Sequence, residues 1–304
     1  MHFLFICGII CVSDHPKGIF ALKRKVLIKF IIFLLLCAGL IGWTVWGNTT
    51  FGITRVTVED EEIPESFSGY KIVHISDLHN DEFGEGNSEL LMAVGKEKPD
   101  IIAVTGDVLD SYDPQYQIGI DFMTALAGIA PTYYVGGNHE VRLNYFSRFY
   151  PEMEAAGVVI AENKAIDLTR GDDSITLYGA EEYSMITRYS STEDRVSQFR
   201  QKLEAVYSDD GFSLLLSHHP ELADVYSDIG YDLVLSGHAH GGQVRLPFVG
   251  GLFSPGQGVL PRYDSGVYDL DGSLMIVSRG LGNSRFPFRV NNRPEIIVIE
   301  LQSK

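Results

Sequence analysis

The sequence predicts a layered α/β domain behind a single apolar helix. Three observations carry that expectation. Short apolar runs alternate with helix-like segments from Tyr70 to Gly157, strands dominate beyond Val158, and Val26 to Trp46 reads VLIKFIIFLLLCAGLIGWTVW with Lys29 as its only charge. Alternation followed by a run of strands is the pattern of sheets covered by helices. The 304 residues suffice for two small domains or one large one. A composition of 45% hydrophobic and 21% charged residues excludes a disordered chain, a collagen and a coiled coil.

The apolar run comes first in the chain. It is long enough to cross a hydrocarbon core of about 30 Å. Lys17, Lys23, Arg24, Lys25 and Lys29 cluster at its N-terminal side, and Trp43 and Trp46 stand at the far end. By the positive-inside rule, residues 1–25 are cytoplasmic, 26–46 form a transmembrane anchor, 47–69 hold a linker and a first strand, and 70–304 form the main domain. No strong small-x-small cleavage site follows the run, so a retained anchor is expected rather than a cleaved signal. The expected location is the cell membrane, single-pass, with the catalytic domain extracytoplasmic. Beyond the anchor stand 19 basic and 39 acidic residues. Such a surface repels phosphate backbones, so no nucleic-acid partner is expected, and a site that accepts an anion there needs cations. Oligomeric state is not legible. Cys7, Cys11 and Cys37 all lie at the N-terminal end, which excludes disulfides and thiolate zinc sites from the main body.

The elements follow in order. Ile53 to Val58 is a strand within the polar connection. Tyr70 to Ser76, Asp100 to Thr105 and Thr132 to Val135 are strands. Asn87 to Lys96, Gln115 to Ala127 and Leu143 to Ala156 are helices, the last ended by Gly157. Val158 to Ile160, Ala165 to Leu168 and Ile175 to Tyr178 are further strands, and Thr192 to Val206 is a helix. Phe212 to Ser217 and Asp232 to Ser236 are buried strands. Gly266 to Asp269, Ser273 to Ser278 and Glu295 to Leu301 complete the list, with Asp271-Gly272 as a hairpin turn.

Five motifs share one position, just past the C-terminal end of an expected strand. They are Asp77-Leu78-His79, Gly106-Asp107, Gly137-Asn138-His139-Glu140, His218-His219-Pro220 and Gly237-His238-Ala239-His240-Gly241-Gly242. Loops at strand C-termini are where α/β sheets place ligand sites. Carboxylate, amide oxygen and imidazole are hard and borderline metal ligands, and the flanking glycines allow tight turns. Singly each motif is weak; all five in series point to a metal site.

The series resembles the calcineurin-like metallophosphoesterases, over about Tyr70 to Leu301. GHAHGGQVRLPF (Gly237 to Phe248) and SRGLGNSRFPFRVNNRPEI (Ser278 to Ile296) further resemble a membrane-associated bacterial branch that includes phosphodiesterases. The resemblance implies a four-layer αββα sandwich of two mixed sheets flanked by helices, built around two divalent ions. Asp77, His79 and His240 would hold one ion, Asn138, His218 and His238 the other, and Asp107 would bridge them. Mixed N/O ligation suits Mn²⁺, Fe or Zn²⁺. The implied activity is phosphodiester hydrolysis of an envelope or lipid-linked phosphate by a metal-bridging hydroxide, with His139 as general acid or transition-state stabiliser. A pyrophosphatase of a nucleotide-linked lipid precursor and a phosphomonoesterase are alternatives. A non-catalytic metal-binding scaffold is the remaining one, and it would be expected to lose ligands that this chain keeps.

Four basic or polar residues are candidates for substrate contact: His219, Arg279, Arg285 and Arg289. Glu140 is expected either to orient His139 or a ligand or to be a solvated acid. His74, inside a strand, is expected to be packed. Phe248, Phe253, Phe286 and Phe288 are expected to pack in the core, with a lipid-facing rim as the competing reading. Gly179-Ala180-Glu181-Glu182 departs from the Gly-x-Asp-type turn of the branch.

Overall fold

The computed structural model describes residues 17–113, 115–143, 148–182, 191–283 and 286–304. Two units divide the chain, Met1–Val45 and Trp46–Lys304. Helix α1 (Lys17–Thr49) makes up the described part of the first and runs into the second. Its stretch Arg24–Thr49 is long and apolar enough to cross a membrane. Most of its apolar side chains stand exposed on every side of the helix, so it has no polar face of the kind a surface helix turns to water.

The second unit opens with β1 (Gly52–Asp60), continues through β2 (Tyr70–Ile75), α2 (Ser88–Glu97), β3 (Ile101–Thr105), α3 (Tyr116–Ala127) and β4 (Thr132–Val135), and reaches α4 (Asn138–Leu143), α5 (Phe149–Ala155) and β5 (Val159–Ile160). Then come β6 (Lys164–Arg170), β7 (Asp173–Gly179), α6 (Thr192–Glu204), β8 (Ser213–Leu216), α7 (Ala223–Ile229) and β9 (Leu233–Ser236). Two short hairpins follow, β10 (Arg245–Leu246) with β11 (Gly250–Gly251) and β12 (Phe253–Ser254) with β13 (Gly258–Val259). The chain ends in β14 (Gly266–Asp269), β15 (Leu274–Val277) and β16 (Glu295–Ser303).

Two six-stranded sheets form, in the orders β1-β16-β2-β3-β4-β5 and β14-β15-β9-β8-β7-β6. In the first, β2 to β5 are parallel and β16 runs antiparallel to β2. In the second, β7, β8, β9 and β15 are parallel, with antiparallel strands at both edges. Residues of β3, β8 and β9 are buried on both faces, as parallel strands covered on two sides must be. Between the sheets lie Ile72, Ala103, Val135, Ile297 and Ile299 from one and Leu177, Leu214, Leu216, Leu235 and Ile276 from the other. The outer face of the first sheet packs on α2, α3 and α5 through Leu90, Val94, Met123, Leu126, Phe149 and Met153. The outer face of the second packs on α6 and α7 through Phe199, Leu203, Val225 and Tyr226. The fold is thus a four-layer αββα sandwich.

Several elements differ from expectation. The strand read within the polar connection is β1, nine residues in parallel register with β16 from Gly52↔Glu295 to Asp60↔Ser303. Of the helix expected over Leu143 to Ala156 the described residues show α5, Phe149–Ala155, with 144–147 outside them, and α4, Asn138–Leu143, precedes it unforeseen. Helix α7 was not foreseen, because its seven residues are too few to show a period. The Asp271-Gly272 turn is as expected, both residues at positive φ (57° and 119°) between paired β14 and β15.

Candidate metal centre

The candidate ligands sit on five loops that leave β2, β3, β4, β8 and β9. Asp77, Asp107, His218 and His238 each follow their strand's last residue by two positions. The turns are sharp. Asp77, His79, Asp107, His238 and His240 have φ of 54°, 50°, 51°, 64° and 48°. Left-handed backbone costs a non-glycine residue about 1–3 kcal/mol and collects where function requires it. Here it redirects side chains across the sheet ends, while the β2–β3 ladder continues beneath through Asp77 N–H to Gly106 O (3.0 Å) and His79 N–H to Asp107 O (3.0 Å).

Two sets of acceptor atoms converge. In the first, His79 Nε2 and His240 Nε2 are 3.1 Å apart, with Asp77 Oδ1 at 3.4 Å from His240 and 3.9 Å from His79. In the second, His238 Nδ1 lies 3.1 Å from His218 Nε2. Asp107 Oδ2 is 3.2 Å from His218 Nε2 and 3.7 Å from His79 Nε2, so one carboxylate oxygen reaches both sets. The Asn138 amide turns its oxygen to His238 Nδ1 at 2.9 Å; rotated, it would donate there and accept from Arg142 instead. The first orientation suits a cation between oxygen and imidazole, the second a proton. All seven residues are buried, and their acceptor atoms lie close to one another. A divalent ion in each set would remove that repulsion, and the donor chemistry fits.

The electrostatics agree. Burial drives the His79 imidazole down to about 3 and those of His238 and His240 well below the usual range, which leaves their lone pairs available. Burial lifts the Asp77 carboxyl to about 6. Burial would raise Asp107 as well, but the imidazoles of His218 and His139 hold it well below the carboxylate range. Burial would lower His218; Asp107 raises it to about 10. A divalent ion held there would compete with that proton for His218 Nε2. His218 Nδ1 donates to Thr105 O at 2.7 Å, which aims Nε2 at Asp107.

Glu140 is no solvated acid. It is buried, accepts N–H groups from Asp107 (3.0 Å), Leu109 (2.9 Å) and Gly137 (2.9 Å), and so clamps the loop that presents Asp107. Burial, then the Asp107 charge, lifts its carboxyl to about 8. His139 N–H donates to Asp107 Oδ1 at 2.8 Å. Its ring Nδ1 accepts from Ser111 N–H at 2.9 Å and lies 3.2 Å from Asp110 Oδ1. Ser111 N–H can only donate, so in the neutral ring the opposite nitrogen carries the proton. The ring borders a cavity of about 250 Å³ walled also by Asp107, Asn138, His238, His240, Tyr112 and Arg142. Asp110, Tyr112 and Arg142 were missed in the sequence. Arg142 had a signal, since it follows Asn138 by four on α4 and so shares its face.

The expected substrate contacts fare differently. Arg289 is buried, its guanidinium donating to Arg279 O and Gly282 O and lying 3.3 Å from His240 Nδ1. It braces the loops beneath His240 and is not among the residues that wall the cavity, which corrects the expected substrate contact. His219 is also buried, with Nε2 on Glu182 (2.8 Å) and Nδ1 on Glu221 (2.9 Å). Burial would lower this ring, but the two carboxylates hold it well above the usual range, and both of its nitrogens are engaged by them. Arg279 lies off the cavity walls, its Nε 3.7 Å from Glu295. Arg285 lies outside the described residues. His74 is packed as expected, with Nε2 2.8 Å from Thr105 Oγ1. Phe248, Phe253, Phe286 and Phe288 are exposed, against the expected core packing.

Comparison with known proteins matches this architecture. Residues 70–242 match the family model for calcineurin-like phosphoesterases. An uncharacterized metallophosphoesterase of Bacillus subtilis (strain 168), YkuE, is 32% identical over 257 residues, covering 82% of this chain and 85% of that one. A second from the same organism, YkoQ, is 27% identical over 80% of this chain and 88% of its own. Phosphodiesterase YaeI of Escherichia coli (strain K12) is 28% identical over 76% of this chain and 82% of its own. By the family model, and by a relative this similar over most of both lengths, the chain belongs to the calcineurin-like phosphoesterase family.

Proposed function

We propose that the protein is a membrane-anchored, metal-dependent phosphodiesterase acting on an envelope or lipid-linked phosphate ester outside the cytoplasm. The observation that carries this reading is the convergence of two acceptor sets on one shared oxygen, Asp107 Oδ2, beside a cavity that His139 borders. In this reading Asp77, His79 and His240 hold one divalent ion, Asn138, His218 and His238 the other, and Asp107 touches both. Mn²⁺, Fe or Zn²⁺ suits the donors. When bound, such a pair neutralises phosphoryl oxygens and lowers the pKa of a water molecule.

The chain's own groups do the rest. The His139 ring, oriented by Ser111 and Asp110, presents its other nitrogen to the departing oxygen and donates a proton there. Arg142 and Tyr112 stand on the cavity wall to meet the ester. Glu140 keeps Asp107 in place through the loop N–H groups. The E. coli relative named a phosphodiesterase supports diesters over monoesters.

The test uses the full chain in detergent, stripped of metal and assayed with Mn²⁺, Zn²⁺, Fe²⁺ or Mg²⁺ restored. Bis(p-nitrophenyl) phosphate should be hydrolysed faster than p-nitrophenyl phosphate. His139→Ala should lower turnover by about 10²–10⁴-fold with metal content unchanged, and Asp107→Asn should lose both metal and activity. Monoester preference would overturn the substrate class. Metal-independent hydrolysis would sink the site.

A further inference from the structure

A second cavity of about 450 Å³ adjoins the one at the metal centre, a size typical of ligand sites. Its walls are Gly242, Gln243, Val244, Leu252, Phe253 and Phe286, none ionisable. Gln243, Phe253 and Phe286 also wall the metal-centre cavity, so the two spaces share a partition. A phosphate held in the first cavity would have an apolar space beside its ester group.

The surroundings identify the source of that group. Phe253 and Phe286 on its wall stand exposed, as do Leu246, Phe248, Val249 and Phe288 of the neighbouring segments, Phe248 completely. Phe286 and Phe288 lie with ring centroids 4.7 Å apart, and the Val244↔Val290 bridge joins their loop to the hairpins. An exposed apolar patch of this kind marks an interaction surface. The same loop is fastened to the residues that leave α1. Asn48 Nδ2 donates to Arg289 O (2.8 Å), and Asn48 Oδ1 accepts from Arg289 N–H (2.6 Å). Arg293 Nε donates to Thr50 Oγ1 (2.9 Å), and the guanidinium lies 4.5 Å from the Trp46 ring centroid. The loop that carries Phe286 and Phe288 is therefore tied to residues 46–50 of its own unit.

We propose that this second cavity is the subsite for the hydrocarbon chain of a lipid phosphate ester whose phosphate sits at the metal centre. The proposal rests on the phosphoesterase reading above and deepens it. Electrostatics cannot select a hydrocarbon, and within this wall only apolar contact does so. The gain per buried methylene is at most about fourfold in affinity.

The experiment titrates methyl, butyl and octyl phosphate calorimetrically into the Mn²⁺-loaded full chain in detergent, below the alkyl phosphates' own micelle concentrations. Affinity should rise from methyl to octyl by at least about 10-fold. Leu252→Gln and Val244→Gln touch only the second cavity. Each should cut that rise by about fivefold or more, with methyl phosphate bound within about twofold of the original. Partition into detergent acts on all three proteins alike, so the ratio between them is the readout. A flat series in the unsubstituted chain, the same rise in both variants, or no binding of any alkyl phosphate would overturn the subsite. Binding does not require turnover. Absent diester hydrolysis with the chain-length rise intact would sink the phosphodiesterase reading and leave the subsite standing.

Discussion

Asp107 Oδ2 stands within 3.2 Å of His218 Nε2 and 3.7 Å of His79 Nε2, and that single atom ties two ligand sets together. Its motif, Gly-Asp, is among the weakest in the sequence; only its place after β3 gives it meaning. Away from the metal centre, His74 offers a cleaner electrostatic test. Burial lowers its pKa from 6.5 to about 3, so the folded ring stays neutral where the unfolded one takes up a proton. The unfolded state then binds more protons between those values, and stability rises with pH across them. The contribution is complete above pH 6.5 and is lost as pH falls toward 3, at about 1.4 kcal/mol per unit. His74→Gln should unfold with a shallower acid slope than the parent chain, measured by urea denaturation at pH 7, 6 and 5. Parallel slopes would refute the assignment.

At the scale of elements, the loops rather than the strands carry the strain. Gly237 precedes His238, and a Cβ there would overlap Ser76 Oγ and Asp77 Oδ2. The glycine is needed for close approach of two loops from different sheets, not for an unusual φ. Gly237→Ala should displace Asp77, lower turnover by about 10²-fold and cost about 1–3 kcal/mol of stability. Metal analysis and thermal unfolding check both, and a variant that keeps full metal and activity would contradict the packing. Strands β3, β8 and β9 were legible because a fully buried parallel strand is a continuous apolar run. The start of α5 only at Phe149 was not, because Leu143 to Ala156 keeps enough apolar periodicity to read as one helix. The hairpins β10 to β13 were invisible, being two residues per strand.

At the scale of the whole molecule, the two sheets meet over an apolar core and leave seven polar side chains where their strands end. Five of them occupy left-handed backbone, strain that a bound ion would help to retain. Metal binding to the native state alone stabilises by about 2.7 kcal/mol per site at one hundred times Kd. Restoring Mn²⁺ to the chelated chain should therefore raise Tm by about 5–15 °C for a domain of this size, and Asp107→Asn should abolish most of the rise. An unchanged Tm in the parent chain would argue against resident ions.

The sequence by itself determined a layered α/β domain, the apolar N-terminal helix and the five strand-end motifs; the αββα class came from the family resemblance that those motifs carry. These are local properties: a buried strand, a bilayer-length run and a glycine-flanked ligand each leave a pattern within a few residues. Only the tertiary structure decided that Arg289 is a buried brace, that His219 is held between Glu182 and Glu221, and that Glu140 clamps the Asp107 loop. It alone exposed the phenylalanines around a second cavity. Burial and partnership come from segments far apart in the chain, as Asn48 and Arg289 are, and an arginine or phenylalanine carries no local mark of which neighbours the fold will bring to it.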